Sequence, residues 1–530
     1  MSSSVLADNV DPQRVEERLP TESARPDKDA STTTTPLKVD EADLASIPQF
    51  TLRSTSIEGL ISIDRAEADA CIAPLMGTTV GAASLVGLTQ CLTKLYRDRG
   101  FFLSRAYLPP QEVPGGHLKI NVVEGYVAGI VVTGMAGADA EVHFTSTLAE
   151  RPARLATFER DLLLLADRYG YKVASSQLLA DPDDLAKYTL KIAVAVAGVS
   201  WRLYGDNRGN GESGSDQAFA WGGWNSVVAS GDRLAASLFT LPSDTSALVF
   251  GDVSYARPWL AGDLWTEVGT SMSRTRNEQA GKNGEVDRLY ARATVPVLRT
   301  RAQSLWATVF FDARDTAEVA TAGAQTEEHT RVLRGSLSYT LVSGGTRTDV
   351  TVEGSRGLDA LDASKNGDSS MTNADGRPQF SKVRLDATLT RKLADRLDMS
   401  FSFAGQLADG ALVRAEEFGA GGARFGRAYN YSEITGDHGV AGSLELRYTL
   451  SDVFEWLKTV QVYAFADGAL VWNRVAGPNE EDLSSAGLGV RLSPISGAVL
   501  SLELAQPLSR DVANKGDRGL RPFVTLQFGW

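Results

Sequence analysis

The chain is poor in the residues that build metal and redox centres: 530 residues contain two cysteines and four histidines. Two cysteines exclude a disulfide-dense mini-fold, and His117, His143, His329 and His438 are scattered without a His-x-x-x-His ligand spacing. Positive charge is also in deficit. Lys plus Arg number 53 against 66 Asp plus Glu, a formal charge of −13, which argues against nucleic acid as a partner because phosphate is met by basic surfaces. No apolar run approaches the roughly eighteen residues of a membrane-spanning helix. A membrane β-barrel is not excluded, since its strands alternate apolar with polar residues and leave mean hydropathy near zero. The glycine-rich stretch Gly205–Gly214 lacks the Lys-Ser/Thr and following helix of a phosphate loop and reads as a turn. The acidic run Asp181–Asp184 reads as a solvated loop, and no catalytic constellation stands out. What remains is a soluble multidomain protein or a porin-like barrel with appended domains.

The first fifty residues differ from the rest. Met1–Ala7 has neither the charged n-region nor the apolar h-region of a secretory signal, yet Val5-Leu6-Ala7 before Asp8 has cleavage-site spacing. A truncated signal peptide and a plain flexible N-terminus both fit. Asp11–Leu19 has the capping residues of a short helix. The Ser/Thr/Pro-rich tract that follows has too little apolar surface to order itself and reads as a linker over 20–47.

From Phe50 to Leu190 the pattern is α+β. Phe50–Ile57 alternates as a strand, and helices are expected over Asp64–Ala73 and Ser84–Tyr96, the second with Leu85, Leu88, Leu92 and Leu95 on one face. Strands are expected at Phe101–Leu108 and His117–Val123. A weaker copy follows, with a strand at Gly129–Thr133, a helix at Phe158–Tyr169 and a strand at Tyr188–Val194. The boundaries are 48–126 and 127–197. Two successive copies of one small fold suit a modular arm rather than an enzyme core.

Beyond residue 198 short alternating segments run to the end. In Gly442–Leu450, Leu444, Leu446, Tyr448 and Leu450 share one face, and Ser443, Glu445, Arg447 and Thr449 the other. Val460–Trp472, Leu488–Leu492, Leu500–Ala505 and Val524–Trp530 alternate likewise. Charged residues sit mid-strand on the polar face (Glu445, Arg447, Arg491, Glu503), as in a wet barrel interior. Trp201, Trp221, Trp224, Trp259, Trp265, Trp472 and Trp530 are expected at strand ends, as an interfacial girdle. More than 300 residues of this pattern give roughly sixteen antiparallel strands over 198–530.

Several runs carry a family resemblance. GFFLSRAYLPPQEVPGGHLKINVVEG (Gly100–Gly125) and FERDLLLLADRYG (Phe158–Gly170) are similar to two POTRA (polypeptide-transport-associated) domains. RFGRAYNYSEITGDHGVAGSLELRY (Arg424–Tyr448) resembles a long inward loop with its following strand. YAFADGA (Tyr463–Ala469) is similar to a Phe-x-Asp strand motif, and Phe528-Gly529-Trp530 to an aromatic-ended assembly signal. Together they resemble the outer-membrane transporters of two-partner secretion, the TpsB family of hemolysin-activation and filamentous-hemagglutinin transporters.

The resemblance implies α+β POTRA domains followed by an all-β transmembrane barrel of sixteen strands, in the outer membrane of a Gram-negative bacterium with the POTRA domains in the periplasm. It implies an N-terminal plug within 1–19 and no cofactor. The partners would be a secreted TpsA-type exoprotein, outer-membrane lipid and the barrel-assembly machinery. The family's loop motif Val-Arg-Gly-Phe/Tyr corresponds to Gly426-Arg427-Ala428-Tyr429, with alanine in place of glycine. Carry-over pairs Arg427 with Asp467, two residues beyond Phe465, with Arg424 as the alternative partner. In an oxidising periplasm Cys71 and Cys91, one on each expected helix, form a bridge or remain two buried thiols. The resemblance implies a translocation pore that captures the unfolded exoprotein through its POTRA domains and exports it without ATP. Two other readings stand beside export: a barrel-assembly insertase, which usually carries more POTRA units, and a substrate-specific porin.

Overall fold

The computed structural model describes residues 14–15, 18, 33–34, 48–209, 214–277, 281–320, 323, 325–371, 375–474, 480–494 and 497–529. Two compact units emerge. Of the expected plug only Arg14, Val15 and Arg18 are described, of the linker only 33–34 and the two residues 48–49 just beyond it, and Trp530 lies outside the described residues.

The α+β unit holds two small sheets with one wiring. In the first, Ser54–Glu58 runs parallel to His117–Val123, which pairs antiparallel with Arg105–Tyr107 on its other side. In the second, Tyr126–Thr133 runs parallel to Lys187–Val196, which pairs antiparallel with Tyr171–Ala180. Each time the last strand is central, the order that lets helices between the first two strands cover one face. Helix Ala82–Asp98 does so by burying Leu85, Leu88, Leu92 and Tyr96 at helical spacing. Helix Leu155–Asp167 does the same with Phe158, Leu162 and Leu165. Thr33–Thr34 lie parallel to Gln177–Leu178 as an added edge.

Three sequence expectations change here. Phe50–Ile57 is two strands: Phe50–Thr51 pairs with Thr79–Val80, and Ser54–Glu58 joins the sheet. Between them the Leu52 amide is drawn to Thr78 O, which turns the fully buried Leu52 side chain into the core. Phe101–Leu108 keeps only Arg105–Tyr107 as strand, because Phe101 and Leu103 are committed to packing. The second copy has two helices that alternation did not signal, Gly137–His143 and Thr145–Ala149, and the strand Tyr171–Ala180.

The other unit is a closed barrel of sixteen strands in sequence order, from Val199–Asp206 to Arg521–Gly529. It closes where Arg202–Asp206 pairs antiparallel with Thr525–Gly529, so no strand edge is left unpaired around the wall. The period-two reading transfers directly: Leu444, Leu446 and Tyr448 are exposed, while Glu445 between them is 2% exposed. The outer face is apolar and the lumen polar, the arrangement of a barrel in lipid. Among the described residues no helix is long and apolar enough to cross a membrane. The girdle expectation is corrected at two tryptophans. Val268 and Met272 are exposed on the outside, so Trp265, of opposite parity and 3% exposed, points inward. Trp221 pairs with Arg202 and Ser237 on the lumen face for the same reason.

Candidate functional site: a loop folded into the barrel

The segment 409–437 joins the eleventh strand, Leu397–Ala408, to the twelfth, His438–Phe454, and folds back into the lumen. Its stem is a short antiparallel pair, Phe418–Ala420 with Ile434–Gly436. Its tip carries Arg427. The loop packs Phe418, Phe425, Tyr429 and Ile434 into an apolar cluster with the wall residues Tyr463, Phe465, Val471 and Leu483, and ionic and polar anchors fix it there.

The guanidinium of Arg427 lies in a nest of carboxylates from three wall strands. Its Nη1 donates to Glu445 Oε2 at 2.5 Å and stands 3.7 Å from Glu503 Oε2; Nη2 donates to Ser443 Oγ at 3.2 Å. Its Nε is 3.4 Å from Asp467 Oδ2 without hydrogen-bond geometry. Below it lies the Phe465 ring, 4.2 Å from the guanidinium carbon, a cation–π contact in a water-poor site. Phe465 and Glu445 are register partners across adjacent strands, which is why ring and carboxylate reach the same cation.

The expected Arg427–Asp467 pairing is therefore present as an ion pair but is not the tightest contact; Glu445 is. Asp467 acts mainly on the loop backbone. Its Oδ1 accepts the amides of Gly426 at 3.0 Å and Arg427 at 3.3 Å, together with the Ser485 hydroxyl. Gly426 has φ +77°, and a Cβ there would stand 2.5 Å from Leu483 Cδ1, so glycine is required at this turn. Ala428 is not in the left-handed region. Its amide donates to Ser485 Oγ at 3.3 Å and its carbonyl accepts from Arg521 at 2.8 Å, so the alanine is accommodated. The buried Tyr429 donates its hydroxyl to Ser484 O at 3.1 Å and accepts from the Arg510 amide at 3.3 Å. Arg424, the alternative partner, goes elsewhere: it bonds Asp386 on the tenth strand at 2.7 Å.

Other anchors carried no motif in the sequence. Glu416, in the turn Arg414–Glu416, is 3% exposed and held by Arg334 at 2.6 Å and Lys382 at 2.8 Å. Arg208 grips the Arg427 carbonyl at 3.0 Å and Glu503 at 2.5 Å. Arg14 donates to Ser432 Oγ at 3.2 Å and to the carbonyls of Arg414 at 2.9 Å and Glu417 at 3.3 Å, touching both arms of the loop. The only available signal was an inward, mid-strand charge, which Arg334 shares with many others.

Away from the loop, Cys71 and Cys91 are joined in a disulfide that ties helix Arg65–Ile72 to helix Ala82–Asp98. Phe528 is half-buried in the last strand, paired with Leu203 and Ala498. Among the described residues no cluster of His, Cys, Asp and Glu is suited to a metal ion.

A closed sixteen-stranded barrel with an inward loop, attached to POTRA-type α+β domains, defines the class: an outer-membrane β-barrel transporter. Residues 50–125 match the POTRA domain, ShlB-type, and residues 197–492 match the haemolysin secretion/activation protein family ShlB/FhaC/HecB. The chain belongs to that family, the outer-membrane transporters of two-partner secretion. It is 34% identical over 87 residues to the outer membrane transporter CdiB of Escherichia coli, a match covering 16% of this chain and 15% of that protein's own length. It is 21% identical over 470 residues to the heme/hemopexin transporter protein HuxB of Haemophilus influenzae, covering 83% and 80% of the two. In fold it resembles solved CdiB from Escherichia coli with TM-score 0.75 at 19% identity over 94% of each chain. Solved CdiB from Acinetobacter baumannii gives 0.65 at 16% identity over 95% of each.

Proposed function

We propose that this chain exports a secreted TpsA-type exoprotein across the outer membrane as an unfolded chain, and that segment 409–437 with the N-terminal segment closes the pore between transits. The observation that carries this reading is Arg427, fixed in the lumen by Glu445, Asp467 and Glu503: a loop tied to the wall by ionic contacts can be untied without unfolding the wall. We read 1–19 as the plug, 20–47 as its tether, 48–126 and 127–197 as POTRA 1 and 2, and 198–530 as the pore. Arg427, Tyr429, Phe465 and Asp467 form the lock. The POTRA sheets suit capture of an extended client, which a sheet edge binds by main-chain hydrogen bonds. No nucleotide hydrolysis or other catalysis enters this account; folding of the client outside can draw it through. Outer-membrane lipid surrounds the barrel, and the barrel-assembly machinery inserts it, with Phe528 and Trp530 as the terminal signal.

The test is secretion of the cognate exoprotein by cells carrying the transporter or lacking it. Export that continues without the transporter sinks the reading, and a cell that instead loses outer-membrane barrels favours the insertase. If Arg427→Ala and Asp467→Ala both export normally, the lock is dropped while the pore stands.

A further inference from the structure

The lumen wall carries an apolar patch separate from the cluster that receives the inward loop. On the first four barrel strands, register pairing sets Tyr204 beside Phe219, Phe219 beside Phe239 and Phe239 beside Phe250. Their neighbours Leu203, Leu238 and Val249 are exposed on the outside, so this aromatic row faces inward. Elsewhere inward aromatics stand against guanidinium groups, Phe465 with Arg427, Tyr463 with Arg491 and Phe523 with Arg208. Three phenylalanines in line across a wet interior are not required to hold strands whose outer face already lies in lipid.

The row is covered, and by a residue from outside the wall. Val15 of the N-terminal segment is 1% exposed and packs into one cluster with Phe219, Phe239 and Phe250. The neighbouring Arg14 is held by the inward loop through Ser432 and two backbone carbonyls. An aliphatic side chain of the N-terminal segment thus fills an apolar site in the lumen. The Val15 contact is made by side chains, so it can be vacated while the hydrogen bonds of the wall stay intact.

We propose that the row Tyr204–Phe219–Phe239–Phe250 is a lumenal binding site for aliphatic side chains of an extended polypeptide, and that Val15 occupies it in the closed state. The proposal rests on the export reading. An extended chain presents every second side chain to one side, so a client with alternating aliphatic residues meets the row repeatedly as it slides. Each contact is weak enough to release, and each competes with Val15, which links client arrival to plug departure.

The experiment uses the full chain reconstituted in planar bilayers, with two synthetic peptides as probes: one alternating valine and serine, the other serine alone. Val15→Asp places a charge against the row, and open-channel current is expected far more often than in the parent. In that variant the valine peptide blocks the current with a dwell about tenfold longer than the serine peptide, the ratio expected from burying one aliphatic side chain. Phe239→Ala or Phe250→Ala, introduced separately into Val15→Asp, brings the two dwells together; two variants guard against one failing to fold. Equal dwells for the two peptides on open Val15→Asp channels overturn the aromatic site and leave the pore reading intact. Val15→Asp channels that open no more often than the parent overturn Val15 as the occupant of the row and leave the pore reading, in which 409–437 also closes the lumen, intact.

Discussion

Arg427 stands among three carboxylates, and those carboxylates are unequally provided for. Glu445 also receives Arg447 and Arg491, and Glu503 receives Arg208. Asp467 has Arg427 as its ionic partner and otherwise accepts neutral donors. Replacing Arg427 by alanine leaves charge buried without compensation, at a cost of about 3–5 kcal/mol to the docked loop. Amide hydrogen exchange across 421–433 should therefore accelerate by about a hundredfold or more in Arg427→Ala, and lysine should not restore it, because its single ammonium cannot reproduce the fork. Unchanged exchange in Arg427→Ala removes the lock. At Gly426 the constraint is backbone shape. Gly426→Ala combines φ +77° with the close approach to Leu483, and about 1–3 kcal/mol of loop stability should be lost by the same readout.

At the scale of elements, the α+β unit contains two ties. The disulfide closes a loop with a sequence separation of 20 between the two helices of the first copy. Cys71→Ser with Cys91→Ser should lower the stability of that copy by about 3 kcal/mol, seen as earlier urea-induced proteolysis of 50–125. In the second copy the buried His143 joins helix Gly137–His143 to helix Leu155–Asp167. Its Nε2 lies 2.6 Å from Asp161 O, and Arg168 donates to its Nδ1 at 3.2 Å, a pattern that a neutral ring satisfies. Burial first, then the neighbouring Arg168 charge, push the imidazole down to about 3. The unfolded ring takes up its proton near pH 6.5 and the folded ring does not, so its stabilising contribution is intact above that pH. It is lost progressively as pH falls from about 6.5 toward 3. Once the intrinsic pH dependence of amide exchange is divided out, the protection of 137–167 should fall between pH 7 and 5, and His143→Gln should flatten that dependence. A pH-independent wild type contradicts the account.

At the scale of the whole molecule, the barrel inverts a soluble protein, with its apolar residues outward. Leu444→Arg, mid-strand on that face beside Phe401 and Ala466, should destabilise the membrane-inserted state by about 2–4 kcal/mol in vesicle refolding. The same change on the lumen face, at Thr351, the register partner of Ser338, should cost much less because water is within reach.

The sequence by itself determined which face of each barrel strand is wet, because side-chain parity along a strand is local and survives any closure. Thus Leu444 and Glu445 were assigned to opposite media before any strand was paired, and helix periodicity likewise placed Leu85, Leu88 and Leu92 in one core. Parity says nothing about where around the tube a wet residue stands. Only closure of sixteen strands, and the return of 409–437 through the lumen, decided that Arg427 meets Glu445 more tightly than Asp467, that Arg424 goes to Asp386, and that Arg334 and Lys382 share Glu416. Trp221 and Trp265 show the limit of composition instead: it suggested a girdle, while the parity of their strands places both on the lumen face. Contacts between residues hundreds of positions apart depend on strand stagger and loop path, which no local pattern encodes.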